Sequence, residues 1–136
     1  MPVSEQRFQF RLDLKSGVPV YRQLIDQVLI AVASGTLSAG DQLPTVRQLA
    51  VDLSINPNTV VRAYKELEIR GMLTTQQGTG TFITSKKVKQ DDVQRQRRLT
   101  QIVGEFVARA SSDGYNVEEI IARLEELRTE SGERRK

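Results

Sequence analysis

Cysteine and histidine are both absent from the 136 residues, and that absence decides much of the available chemistry. No thiol nucleophile, imidazole base, disulfide or Cys/His zinc site can be built. Carboxylates remain, but they fall mostly on helix faces expected to be solvated. No nucleophile–base pair or ligand cluster stands out, so neither an enzyme nor a cofactor or metal is expected. The residues arranged to do something lie instead in one stretch, 56–70. At about 100° per residue, Val60, Ala63, Tyr64 and Leu67 fall within one arc. Asn58, Arg62, Lys65 and the long aliphatic Ile69 lie opposite, with Thr59 and Glu66 at the edge. One side packs while the other offers donors and cations, which is what base edges and phosphates require.

The neighbouring sequence frames that helix. Asn56 is a favoured N-cap and Pro57 a favoured first residue, and Gly71 ends the run. Upstream, Thr45-Val46-Arg47-Gln48 forms a capping box, in which the Thr45 hydroxyl and the Gln48 side chain satisfy each other's orphan amides. It opens a short helix with Val46, Leu49, Ala50 and Leu53 on one stripe, and only Ser54-Ile55-Asn56 separates it from the next start. An earlier helix is predicted from Pro19 to Ser34, with Tyr21, Leu24, Ile25, Val28 and Val32 facing inward and Gly35 as its stop. Alternation of Phe8, Phe10, Leu12 and Leu14 predicts a short half-buried strand before it. Leu37 to Asp41 reads as a turn. Met72–Thr75 and Thr81–Thr84 flank Gln76-Gln77-Gly78-Thr79-Gly80, which predicts a two-stranded hairpin with a Gly-Thr-Gly tip. That tip lacks the Lys-Ser/Thr pair of a phosphate-binding P-loop and leads into a strand.

Helix, three-residue turn, helix and hairpin is the order of a winged helix-turn-helix, whose second helix enters the major groove. The amides and dipole at that helix's N-terminus add a phosphate site. The expected fold is therefore mainly α with a small β hairpin. A winged helix-turn-helix DNA-binding domain spans 1–85, and a helical dimerisation tail spans 86–136.

The tail opens with the basic run Lys86-Lys87-Val88-Lys89, a linker that could also touch a nucleic-acid backbone. Two helices follow. The first carries Leu99, Ile102, Val103, Phe106 and Ala110 and stops near Gly114. The second opens on Asn116 and Glu119 as a cap pair and carries Val117, Ile120, Ile121, Leu124 and Leu127. The end from Gly132 is predicted to fray. Two short helices with such wide stripes cannot bury both against each other and a small winged helix. An unburied stripe is a partner surface, and two-fold pairing is the commonest solution. Leu99, Ile102, Phe106, Ile120, Ile121 and Leu124 are expected in or beside a homodimer interface.

Charge adds a constraint. The chain carries a net +3 and a pI near 9.4, compatible with nucleic acid. Between Leu43 and Thr84, however, Arg47, Arg62, Lys65 and Arg70 face Asp52, Glu66 and Glu68. Phosphate neutralisation per subunit is then modest, and two linked half-sites become more necessary. No apolar run approaches the roughly 20 residues of a membrane span. The opening Met1-Pro2-Val3-Ser4-Glu5 has no charged n-region followed by an apolar stretch, so a cytoplasmic protein without membrane partners is expected.

Several motifs in order resemble the GntR family of regulators. They are Gly40-Asp41-Gln42-Leu43-Pro44-Thr45-Val46-Arg47-Gln48-Leu49-Ala50, then Ile55-Asn56-Pro57-Asn58-Thr59-Val60-Val61-Arg62-Ala63-Tyr64, Leu67-Glu68, Gly71 and Gly78-Thr79-Gly80-Thr81-Phe82. Pro19-Val20-Tyr21-Arg22-Gln23-Leu24 and the short tail resemble its YtrA subfamily in particular. The close match covers residues 8–84. The resemblance implies a bacterial, two-fold dimeric transcription regulator on a pseudo-palindromic operator of double-stranded DNA, usually a repressor, in a subfamily whose regulated genes often encode an ABC transporter. It implies that Arg47 reaches a phosphate or base edge, that Asn58, Thr59 and Arg62 read the major groove or its phosphates, and that Gly78, Thr79 and Gly80 set the wing tip near the minor groove. Lys65, two turns in, is a further candidate contact.

Each residue also has a plainer role. Arg47 and Lys65 could be solvated, Arg62 could pair with Glu66 four residues on, and Asn58 and Thr59 could complete a cap. The Gly-Thr-Gly tip is a turn in either case. A winged-helix protein-interaction or RNA-binding module is the alternative function. The roughly 50 residues after the wing are too few for the large effector domain of many family members. Signal sensing would then use a small pocket near the dimer helices for an unknown small-molecule effector, a partner, or protein level alone.

Overall fold

The computed structural model describes residues 8–84 and 91–135, with side chains as far as 128 in the last helix. The elements are α1 (Val20–Ser34), β1 (Gln42–Leu43), α2 (Val46–Leu53), α3 (Pro57–Ile69), β2 (Leu73–Gln76), β3 (Gly80–Ile83), α4 (Asp92–Ser112) and α5 (Val117–Arg135). They fall into two compact units that divide between residues 86 and 87.

In the first unit α3 is central, packing on α1, α2 and β2. The stripe on α1 places Leu24, Ile25, Val28 and Ala31 in the core, with Tyr21 and Val32 at its margin. They share one cluster with Leu49 and Ala50 of α2 and with Val60, Ala63, Tyr64 and Leu67 of α3. Each large side chain so buried contributes about 1.5–3 kcal/mol of transfer free energy. Pro19 caps α1 rather than opening its first turn, and its carbonyl accepts from the Gln23 amide at 3.0 Å.

The strand expected over 8–14 does not form. Its backbone is bonded by glutamine side chains of α1 instead. The Arg11 amide donates to Gln27 Oε1 at 2.9 Å, and Gln27 Nε2 donates back to the Arg11 carbonyl. The Asp13 amide donates to Gln23 Oε1 at 2.9 Å, and Gln23 Nε2 returns a bond to the Asp13 carbonyl at 3.0 Å. A primary amide offers the same donor and acceptor as a peptide group. Two glutamines thus stand where a neighbouring strand would be. The alternation still records burial, because Phe10 is buried and Phe8 and Leu12 pack at the core's edge, although Leu14 is exposed.

The expected hairpin gains a third strand. β2 pairs antiparallel with β3 from Leu73↔Ile83 to Gln76↔Gly80. β1 takes the other edge of β3, pairing Gln42↔Phe82 and Leu43↔Thr81, which gives the order β1-β3-β2. The Ile83 amide donates to the Asp41 carbonyl and the Gly40 amide to the Ile83 carbonyl, both at 2.8 Å. The sheet therefore reaches into the segment read as a turn. This antiparallel sheet beside three helices is the winged helix-turn-helix architecture.

Half of the capping box on α2 is made. The Gln48 amide donates to Thr45 Oγ1 at 3.1 Å, but Gln48 Nε2 donates to Asp52 Oδ1 at 2.7 Å instead of reaching back. A carboxylate one turn on is the stronger acceptor. The turn to α3 passes through Ser54 at φ 57°, and the Ile55 amide closes on the Ala50 carbonyl at 3.0 Å, a Schellman arrangement.

The second unit holds α4 and α5. Asp91 caps α4 by accepting from the Gln94 amide at 2.8 Å. α5 opens on a complete reciprocal box: the Glu119 amide donates to Asn116 Oδ1 at 2.9 Å, and the Asn116 amide to Glu119 Oε1 at 3.0 Å. Rather than fraying from Gly132, the helix runs on to Arg135. The Glu-, Leu- and Arg-rich turns before that glycine already nucleate the helix, so its cost of about 1 kcal/mol falls on propagation alone. The 86–89 linker lies outside the described residues. No described helix is long and apolar enough to cross a membrane.

Candidate nucleic-acid interface

α3 is held from behind and open in front. Val60, Ala63, Tyr64 and Leu67 are buried, as the 3.6-residue period predicts. The Tyr64 hydroxyl donates to the Pro44 carbonyl at 2.7 Å, tying α3 to the start of α2. Burial pushes this phenol above its ordinary value, so it stays a donor across the working pH range.

The opposite face carries Asn58, Arg62 and Lys65, all exposed, with Thr59 half-buried at its border. Ile69 continues it at 71% exposure. Val61, which helical spacing does not place, is 46% exposed next to Arg62 and can meet a thymine methyl. It lies at the border of the packed arc, where the period alone does not say whether a side chain faces inward or outward.

Arg62 does not pair with Glu66. That carboxylate bonds Arg70 Nε at 3.1 Å. Arg62 lies instead over the Tyr21 ring, its Cζ 3.7 Å from the centroid. Tyr21, expected only as part of the buried stripe of α1, sits half-buried. No local signal announces a contact between residues so far apart in the chain.

The helix start is less available to phosphate than its position predicts. Pro57 has no amide hydrogen, the Asn58 amide donates to Asn56 Oδ1 at 2.8 Å, and the Thr59 amide to the Asn56 carbonyl at 3.0 Å. Asn56 completes the cap alone, which leaves the Asn58 side chain free of that duty. Side chains, rather than free amides, are the donors this end offers.

Two neighbouring elements add to the surface. Arg47 is exposed in the first turn of α2, which packs on α3. The tip between β2 and β3 turns through Gly78 at φ 79° and Gly80 at φ 135°, where side chains are strained. A Cβ on Gly80 would also overlap the Gln42 amide, which donates to the Thr79 carbonyl at 3.2 Å. Gly78 and Gly80 thus have conformational duties, and exposed Gln77 and Thr79 are the tip's polar side chains. Among the described residues no cluster of Asp and Glu could hold a metal.

The second unit presents a different surface. None of its described side chains is fully buried. Leu99, Ile102, Phe106, Ile121 and Leu124 are each about half exposed, and Ile120 is half-buried. Phe106, Ala110, Tyr115, Ile120 and Leu124 line a cleft of about 610 Å³, with Arg109 and Arg123 among its polar members.

Comparison with known proteins fits this geometry. Residues 20–83 match the family described as bacterial regulatory proteins, gntR family. The uncharacterized HTH-type transcriptional regulator YhcF of Bacillus subtilis (strain 168) is 33% identical over 118 residues, covering 87% of this chain and 96% of that protein. The HTH-type transcriptional repressor YtrA of the same organism is 45% identical over 74 residues, 54% of this chain and 57% of that one. Among solved structures, YtrA from Sulfolobus acidocaldarius, a GntR-family transcription factor, superposes with a TM-score of 0.55 at 31% identity, covering 73% of this chain and 97% of that one.

Proposed function

The chain belongs to the gntR family of bacterial regulatory proteins, with relatives in its YtrA branch, and is a DNA-binding transcription regulator rather than an enzyme; from that premise we propose that it acts in the cytoplasm as a two-fold dimer on a pseudo-palindromic operator. Residues 1–85 are the reading domain and 86–136 the pairing tail. The observation that carries this reading is the two-sided character of α3, buried through Val60, Ala63, Tyr64 and Leu67 and open through Asn58, Arg62 and Lys65.

In this reading α3 lies in the major groove. Asn58, Thr59 and Arg62 contact bases or flanking phosphates, with Lys65 further along the same face. Arg47 reaches the backbone or a base edge from α2, and Gly78, Thr79 and Gly80 bring the wing tip to the minor groove. The half-exposed Leu99, Ile102, Phe106, Ile121 and Leu124, together with Ile120, lie in or beside the interface with a second subunit. A small effector would have the cleft between α4 and α5 as its seat. The regulator represses its target, a reading favoured by the description of the Bacillus subtilis relative as a repressor, and an ABC-transporter operon is the target class the subfamily resemblance favours.

The test is a gel shift on a fragment from the protein's own promoter region. Salt-sensitive binding that survives excess competitor DNA is the expected result. Binding that competitor abolishes would contradict a sequence-specific regulator. Raised transcription of the adjacent operon after deletion of the gene is expected for a repressor, and lowered transcription would reverse that sign.

A further inference from the structure

We propose that Tyr21 is a positioning residue for Arg62, its ring holding the guanidinium at the DNA-facing surface; this rests on the reading of α3 as the groove-facing helix. The Arg62 Cζ stands 3.7 Å from the Tyr21 centroid, well inside the roughly 6 Å reach of a cation–π contact. Among the described residues, Arg62 makes no hydrogen bond or ion pair. Its natural competitor, Glu66 one turn on, is taken by Arg70. The aromatic face is thus what orders the side chain.

Stacking uses the face of the guanidinium and leaves its edge. All five N–H donors lie in that plane and point outward, the fork that phosphate or guanine accepts in bidentate fashion. A long arginine in solvent must give up rotamer freedom on binding, and a side chain already stacked gives up less. The ring is held in place, because half-buried Tyr21 packs against the edge of the core on α1, which lies directly against α3. Its hydroxyl bonds to no described residue, whereas the Tyr64 hydroxyl is spent on Pro44. The ring, not the phenol oxygen, is the working part of Tyr21.

The experiment measures affinity of the full-length chain for an operator duplex obtained by selection, for Tyr21→Phe, Tyr21→Leu and Arg62→Ala singly, and for Tyr21→Leu combined with Arg62→Ala. Tyr21→Phe should bind like the parent. Tyr21→Leu should weaken binding roughly two- to fivefold, the size of an exposed cation–π contact. The same change should do nothing further once Arg62 is alanine. Arg62→Lys keeps the charge but loses both the planar stack and the bidentate fork, so it should weaken binding with the salt slope unchanged. If Tyr21→Leu fails to fold, Tyr21→Met, which keeps apolar bulk without an aromatic face, takes its place in the cycle. Equal losses from Tyr21→Leu with and without Arg62 would overturn the proposal, as would a Tyr21→Phe variant as weak as Tyr21→Leu. If Arg62→Ala weakens binding but Tyr21→Leu (or Tyr21→Met) does not, only the positioning role fails. If Arg62→Ala leaves affinity intact, the groove contact of Arg62 fails with it.

Discussion

The two units of this chain solve the burial problem in opposite ways. Residues 8–84 enclose a core in which Leu24, Ile25, Val28, Val60, Leu67 and Ile83 are all but inaccessible, and they spend their outer face on Asn58, Arg62 and Lys65. The helices α4 and α5 bury none of their described side chains completely and leave Phe106, Ile121 and Leu124 about half exposed. A unit that completes its own core is free to face a polar ligand such as DNA. One that does not complete it leaves an apolar surface open to a partner, and in the proposed reading a second copy supplies the matching surface by symmetry.

The largest effect should come from breaking the open unit. Ile121→Asp places a charge in the proposed pairing surface. It should give a monomer by light scattering and lower operator affinity by about 10²–10⁴-fold through loss of the second half-site. A variant that stays dimeric with operator affinity intact would remove Ile121 from the interface. Next is the closed unit: Leu67→Ala should cost about 2–5 kcal/mol in denaturant unfolding through a core cavity, without altering sequence preference. Unchanged stability would mean that the α3 core face is misassigned. At the outer face, Arg62→Ala should lower operator affinity by about 1–3 kcal/mol if its contact is bidentate to a base. An equal loss on random DNA would make it a phosphate contact. The smallest effect is expected at the cap. Thr45→Ala should destabilise the closed unit by about 1 kcal/mol in the same unfolding assay and leave dimerisation untouched.

What can be read in the sequence follows the range of the interactions. The starts of α2, α3 and α5 and the packed faces of α2 and α3 are written within a few residues, in Thr45, in Asn56 with Pro57, in Asn116 with Glu119, and in the apolar spacing. The structure keeps them. Features that join distant residues are not legible. β1 is two residues long, too short for any period, and exists because the edge of β3 offers a ladder. The 8–14 alternation reads as a strand because hydrophobic period reports which residues are buried, not what bonds the backbone. Gln23 and Gln27 do that bonding from another element. The candidate surface divides in the same way. Asn58, Arg62 and Lys65 follow from helical spacing alone. Glu66 has a cation one turn away on either side, Arg62 and Arg70, so spacing offers both pairs, and the choice of Tyr21 for Arg62 depends on how α1 lies against α3.

Selection of bound sequences from random double-stranded DNA with the full-length chain reaches both units at once. A two-fold dimer reading through α3 should enrich two inverted half-sites whose centres lie about one helical turn, or a whole multiple of it, apart. Enrichment of a single unpaired half-site, or of nothing at all, would contradict it.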